Sequence, residues 1–360
     1  MEAILLYIAE PSTVVSLCRV VNVIRESGYQ VYGIFQNIEK LNEDVLHLFD
    51  EYTIVNKLSF DKTIIRYREV GIRMVLVADA DSKYYYEKLL FNFNVVTLIG
   101  DLRYNMNLLQ KIKHTIHKKN ENIINPIMRD RYHIRKDINE SDLILSFANT
   151  LFSRTVRKRY RGQLSCVHYF SEDRDRYIPS ERKSKLLIYI PAVYSNCHIV
   201  RKFINYLNEF KEKISIIIDD RTYHSNRLRN YISLKSKNNY VAFQNNLVPV
   251  DDYIKQSDLV FIPDREGYCY INEIVDSIAY GRVLIGLKKS IINDFAPDKE
   301  YSFILDELNY DCISLMISRV LLNTYLLNTM GENCYNLYKV KYVKADFINE
   351  LKKIINEYNV

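Results

Sequence analysis

Short apolar runs alternate along this chain with longer amphipathic stretches. Residues 3–9 (AILLYIA) read as a buried strand, and an apolar-faced helix follows from Pro11-Ser12-Thr13 to about Glu26. Gly28 ends that helix, and residues 29–35 read as the next strand. Residues 74–77, 95–99 and 142–147 repeat the strand pattern, the last leading into a basic helix at 151–160. Runs this short, bounded by turn residues, fit strands buried on both faces. A polar, strand-free stretch follows at 171–185 (SEDRDRYIPSERKSK) and reads as a linker. Strand patterns then resume at 186–190, 214–218, 240–243, 259–262 and 283–285, with helices at 199–210 and near 251–256. A last amphipathic helix at 343–358 sets Phe347, Leu351, Ile354 and Ile355 on one face. Strands alternating with helices predict an α/β protein with parallel sheets covered on both faces. The length of 360 residues suits two domains, divided here as 1–175 and 176–340.

The most informative stretch is residues 257–286, SDLVFIPDREGYCYINEIVDSIAYGRVLIG. It reads as a buried strand, a turn at Pro263-Asp264, a loop, a helix and a second strand. The helix puts Ile274, Ile278 and Ala279 on one face, and Gly281 stands where a helix end favours the left-handed conformation. Open α/β sheets bind ligands in the loops at the C-terminal ends of their strands. In this loop Gly267 lets backbone N–H groups approach a ligand closely, and the following helix N-terminus favours an anion such as a diphosphate. Glu266, Glu273 and Asp276 add three acceptor side chains. Carboxylates repel phosphate, so their fitting partners are sugar or ribose hydroxyls. The plainer reading of the same residues is a solvated acidic helix start, which the helix dipole also favours.

These residues resemble the nucleotide-sugar signature of the retaining GT-B glycosyltransferases of family 4. In that family a strand ending in proline precedes Glu-Gly-Phe-Gly and then Leu-Glu-Ala-Met-Ala-x-Gly-x-Pro-Val-Ile. Here SDLVFIP, Glu266-Gly267-Tyr268 and DSIAYGRVLIG stand in those places. The loop is longer by two residues, Cys269 replaces the second glycine and Val283 replaces the proline. The resemblance implies a GT-B fold: two Rossmann-like domains facing a central cleft, the acceptor bound by the first and the donor by the second. It also implies that residues 341–360 form a helix packing back on the first domain. The activity implied is transfer of a hexose-type sugar from a nucleotide-diphosphate sugar to a hydroxyl, with retention. Glu266 and the amides of Gly267 and Tyr268 would face donor sugar and phosphate, and Asp276 or Glu273 would hold the ribose. The family's Gly-Arg pair and following Lys have no direct equivalent in IYIPAVYSNCHIVRK. Arg201, Lys202 or Arg265 would stabilise the leaving diphosphate instead, with Arg221 a further candidate. Helix dipoles and these basic groups imply no metal and no cofactor. Other readings of the same fold are a phage-type DNA-base glucosyltransferase, a non-catalytic GT-B-shaped partner protein and, ranked last, a nucleotide-sugar epimerase.

Charge distribution adds a partner to this picture. Residues 102–161 hold 14 Lys and Arg against 5 Asp and Glu, a local +9, whereas the whole chain carries +6. A solvated face and an anionic partner are the two readings; the partner would be a lipid-linked glycan, a membrane surface or DNA. The six cysteines are scattered without a C-x-x-C pair, as expected of buried thiols in a reducing compartment. With no basic leader and no apolar run of spanning length, the expectation is a cytoplasmic protein, peripheral at most on the inner membrane face. His114 and His117 are spaced i, i+3 but have no matching carboxylate for a metal; His198 is better placed to meet a phosphate. Glycine is scarce, tyrosine abundant at 30 residues, and tryptophan absent; no internal repeat is evident.

Overall fold

The computed structural model describes residues 2–8, 11–36, 43–79, 83–99, 141–147, 163–177, 179, 184–191, 197–219, 228–232, 240–244, 249–263, 270–288, 290–323 and 325–359. The chain divides into two compact units, residues 1–168 with 345–360, and residues 169–344.

The first unit carries β1 (Ala3–Ile8), α1 (Pro11–Glu26), β2 (Gln30–Phe35), α2 (Glu43–Leu46), β3 (Glu51–Ile54), α3 (Phe60–Glu69), β4 (Met74–Asp79), α4 (Lys83–Asn92), β5 (Asn94–Ile99), β6 (Leu143–Ser146) and β7 (Gln163–Cys166). Its seven strands form one parallel sheet in the order β3-β2-β1-β4-β5-β6-β7. The central strands are apolar on both faces, as a covered parallel sheet requires; Met74, Val75, Leu76 and Val77 are all fully buried. Gly28 ends α1 at a φ of 92°, in the left-handed region where a side chain would be strained. The C-terminal helix belongs to this unit. Its Phe347 ring meets Phe147, its Glu350 accepts from the His168 N–H (3.3 Å), and the Tyr358 carbonyl accepts from Asn94 Nδ2 (2.8 Å).

The second unit carries β8 (Leu186–Ile190), α5 (Cys197–Leu207), β9 (Ile214–Ile218), β10 (Val241–Phe243), α6 (Val250–Gln256), β11 (Leu259–Phe261), α7 (Ile271–Ala279), β12 (Val283–Leu287), α8 (Ile292–Phe295), β13 (Ser302–Leu305), α9 (Tyr310–Leu322) and α10 (Leu326–Lys341). Residues 344–358 form α11 (Lys344–Tyr358). The six strands are again all parallel, in the order β10-β9-β8-β11-β12-β13. Three strands escaped the hydrophobic pattern: β3, β7 and β13. All three lie at sheet edges. β3 (EYTI) and β7 (QLSC) lack a continuous apolar run, which a strand missing one neighbour does not need, whereas β13 (SFIL) is a short and mostly buried run. Among the described residues no helix is long and apolar enough to cross a membrane.

One device recurs in both sheets. Asp50, Asp142 and Asp258 each stand one residue before a strand, and each clasps the neighbouring strand twice. Asp258 donates its N–H to the Leu187 carbonyl (2.8 Å) while its carboxylate accepts from the Leu187 N–H (2.7 Å). Asp142 does the same to Val95 (3.1 and 2.6 Å), and Asp50 to Val31 (2.9 and 2.8 Å). A parallel ladder leaves such N–H groups unpaired where a neighbouring strand begins, and the carboxylate supplies the missing acceptor. The segments Ser141-Asp142-Leu143 and Ser257-Asp258-Leu259 are therefore a short sequence repeat with a structural cause.

Asp258→Ala removes a charge-assisted acceptor and should cost about 1.5–3 kcal/mol. At about 2–4 °C per kcal/mol for a unit of this size, that is a fall in Tm of roughly 3–12 °C. Asp258→Asn keeps an acceptor oxygen and should lose less than half as much by calorimetry. Equal losses would mean that the carboxylate–amide bond is not what stabilises the strand pair.

Candidate active site

The strand order of the second sheet reverses at β8. From there β9 and β10 lie to one side and β11, β12 and β13 to the other. The chain leaves β8 at Ile190 and β11 at Phe261, side by side at the C-terminal edge. Such a reversal opens a crevice at that edge, because the two following connections depart to opposite sides. α5 follows β8, and α7 follows β11 after the loop that starts past Pro263. Arg201 and Lys202 come from the second turn of α5, Glu273 from the first turn of α7. The sequence-picked residues on these helices therefore flank one strand junction. Glu266, Gly267, Tyr268 and Arg265 lie outside the described residues, as does Arg221. Of the basic stretch at 102–161 only 141–147 is described, and His114, His117 and His133 are not.

Side chains on the described elements differ in what they can reach. Lys202 is exposed, and half-buried Arg201 lies over the Tyr231 ring, its guanidinium carbon 4.8 Å from the centroid. His198 is exposed in the first turn of α5. Glu273 is half-buried, whereas Asp276, one turn further along α7, is 2% exposed and accepts from Ser171 Oγ at 2.7 Å. Sequence reading missed a buried polar group at the same sheet edge. Tyr189 OH lies 3.1 Å from Asp219 Oδ2 and 3.4 Å from Gln244 Oε1, and its ring stacks on Tyr253. Its signal was available: a tyrosine inside the apolar run LLIYI and an aspartate ending ISIIID. Among the described residues no group of three or more His, Cys, Asp or Glu could hold a metal ion.

α7 is buried around nearly its whole circumference, with Ile271, Ile274, Val275, Ser277, Ile278 and Ala279 all inside. It ends at Gly281, whose φ of 66° places it in the left-handed region. A Cβ there would sit 2.5 Å from the Tyr177 ring and 2.7 Å from the Gly331 carbonyl oxygen of α10. Two glycines thus let α7 and α10 touch backbone to backbone, with Tyr177 wedged against both.

No protein-family model matches the chain, and no curated protein sequence does. Resemblance to solved structures is nonetheless extensive. HepE of Anabaena, in complex with UDP-glucose, is 10% identical, with a TM-score of 0.75 over 99% of this chain and 100% of its own. A glycosyltransferase of Rickettsia africae is 12% identical, with a TM-score of 0.73 over 99% and 98% of the two chains. The chain has the GT-B fold. Sucrose-phosphate synthase of Thermosynechococcus elongatus, 8% identical, shares the same GT-B architecture with a TM-score of 0.74 over 99% of both chains. The GT-B unit that carries α7 is thus one whose strand order and helix placement recur at identities where side chains have almost wholly changed.

Burial in this unit has a consequence at alkaline pH. Cys334, Tyr240 and Tyr280 are each pushed up to about 12 by burial, with Asp251 adding to the effect at Tyr280. Their ordinary values are 9.0 for the thiol and 10.0 for the phenols. A raised folded value gives stability that is complete below the unfolded value and lost as pH climbs toward the folded one. The Tm should therefore hold to about pH 8.5 and fall progressively between about pH 9 and 12. Cys334→Ala should remove the earliest part of that decline in a calorimetric pH series. A Tm unchanged up to pH 11 would contradict it.

Proposed function

We propose that this chain is a glycosyltransferase that moves a sugar from a nucleoside-diphosphate sugar to a hydroxyl acceptor, with the donor held by the second unit. The observation that carries this function is the junction of β8 and β11, after whose adjacent strand ends α5 and α7 follow at one sheet edge. The GT-B fold over the whole chain, shared with HepE bound to UDP-glucose, supports it.

The chemistry follows from charge development. The acceptor oxygen attacks the anomeric carbon on the face from which the diphosphate departs, as retention in a single displacement requires. It passes its proton to the departing diphosphate oxygen. The bond from that carbon to the diphosphate oxygen breaks, and the diphosphate leaves with the electron pair. Negative charge grows on the leaving group, so basic side chains and helix N-termini aimed there stabilise the transition state. Arg201, Lys202 and Arg265 are the basic groups assigned to this task, so no metal ion is called on. Glu266, with the amides of Gly267 and Tyr268, addresses the donor sugar and its phosphate. Glu273, half-buried in the first turn of α7, is the acceptor for ribose hydroxyls. Hexosyl transfer with retention to a glycan or a lipid-linked glycan completes the proposal.

Calorimetry with UDP-, GDP- and ADP-glucose should find one donor that binds. Glu266→Gln should slow donor hydrolysis about ten- to a hundredfold, the equivalent of a charge-assisted hydrogen bond of about 1.5–3 kcal/mol. Its Tm should move by less than about 2 °C, since a loop carboxylate contributes little to stability. If none of the three donors binds, the chain is better read as a non-catalytic protein on the same fold.

A further inference from the structure

Residues 169–177, which include the start of the polar stretch 171–185 read as a linker, lie along α7 and are tied to it at three points. Tyr169 OH donates to Asn272 Oδ1 (2.7 Å), and Ser171 Oγ donates to Asp276 Oδ1 (2.7 Å). The Arg174 guanidinium then covers the Tyr280 ring at 4.4 Å and pairs with Asp251 at 3.0 Å. Asn272, Asp276 and Tyr280 are spaced i, i+4, i+8, so they form one stripe along the helix. Four helical residues rise about 6 Å, and two extended residues span about 6.6 Å. The steps from Tyr169 to Ser171 and from Asn272 to Asp276 therefore match, and strap and helix stay in register. The strap is held from behind as well. Its Ser171 N–H bonds the Tyr342 carbonyl (3.1 Å), its Arg174 N–H bonds Tyr338 OH (3.0 Å), and Tyr177 OH bonds the Asn328 carbonyl (3.1 Å).

We infer that Ser171 and Asp276 are a positioning pair: they fix the rotation of α7 and so aim Glu273 at the donor's ribose, which Asp276 itself does not touch. This rests on the donor-binding role proposed above. Asp276 is 2% exposed, Ser171 is fully buried, and their bond occupies one carboxylate oxygen, Oδ1. With the side chain buried beneath the strap, engaging a ribose would require opening the strap. Glu273 lies about 4.5 Å nearer the sheet's C-terminal edge along the helix axis. Its aim depends on rotation: with Cα atoms about 2.3 Å from the axis, a turn of about 20° moves them by roughly 0.8 Å. Displacements of about 1 Å at a reacting centre can cost a hundredfold in rate.

The test measures binding of UDP, GDP and ADP, with their 2′-deoxy and 3′-deoxy forms, to wild type and four variants. Ser171→Ala and Asp276→Ala should each weaken the best-bound diphosphate by about five- to tenfold, within the cost of one lost hydrogen bond. Asp276→Asn keeps an acceptor for Ser171 Oγ and should recover most of that affinity. The loss caused by removing a ribose hydroxyl should persist in Asp276→Ala and disappear in Glu273→Ala. If it disappears in Asp276→Ala instead, Asp276 holds the ribose and the inference is wrong. Wild-type affinity in Ser171→Ala overturns the positioning role alone. Failure of wild type to bind any of the three diphosphates overturns the donor reading and the inference together.

Discussion

Strand registration at the start of each parallel pair is the constraint on which the rest of this protein depends. A parallel sheet has no hairpin turns to set its register, and a one-residue slip would swap the side chains packed against its two covering layers. Asp50, Asp142 and Asp258 meet that need by bonding both backbone groups of the residue opposite them. The Asp258 clasp joins β8 to β11, the pair at which the second sheet reverses direction. Fixing those strands at their N-terminal ends fixes where they end, and the candidate site is built on the connections that leave those ends.

The second determinant is the immobilisation of α7. Sheet, α10 and the strap of residues 169–177 enclose it, and the glycine pair Gly281 and Gly331 sets how closely α7 approaches α10. A helix so enclosed cannot turn without disturbing several buried contacts at once. That rigidity suits the role proposed for the carboxylate in its first turn, because preorganised groups need no rearrangement as charge develops. The polar residues of the strap have an energetic reason to be there. Buried next to α7, Ser171 and Asp276 satisfy each other, as do Tyr169 and Asn272, so neither pair is stranded without a partner.

Likeness to HepE, to a rickettsial glycosyltransferase and to sucrose-phosphate synthase at identities of 8–12% shows which features of the fold are easily kept. The alternation of strands and helices and the covered parallel sheets need apolar groups of suitable volume inside rather than particular side chains. They constrain residue class rather than residue identity.

The sequence by itself determined the alternating α/β pattern, the central strands, the glycine stop of α7 and the resemblance to GT-B proteins. Each is a local property: a run of four or five apolar residues, a glycine at a helix end, a spacing within thirty residues. Edge strands β3 and β7 were invisible because a strand with one neighbour needs no apolar run. Within the polar stretch 171–185, the partners of Ser171 and Arg174 were not legible either, because polarity alone does not show which groups find partners within the fold. Tertiary structure alone decided that β8 and β11 lie side by side, since strand order is set by long-range pairing that no local pattern encodes. It also decided that Asp276, the residue the resemblance sets at the family's second Glu with Glu273 as its rival, bonds Ser171, a residue 105 positions away. A carboxylate's role depends on what the fold places against it, and here that partner comes from ahead of the unit's first strand.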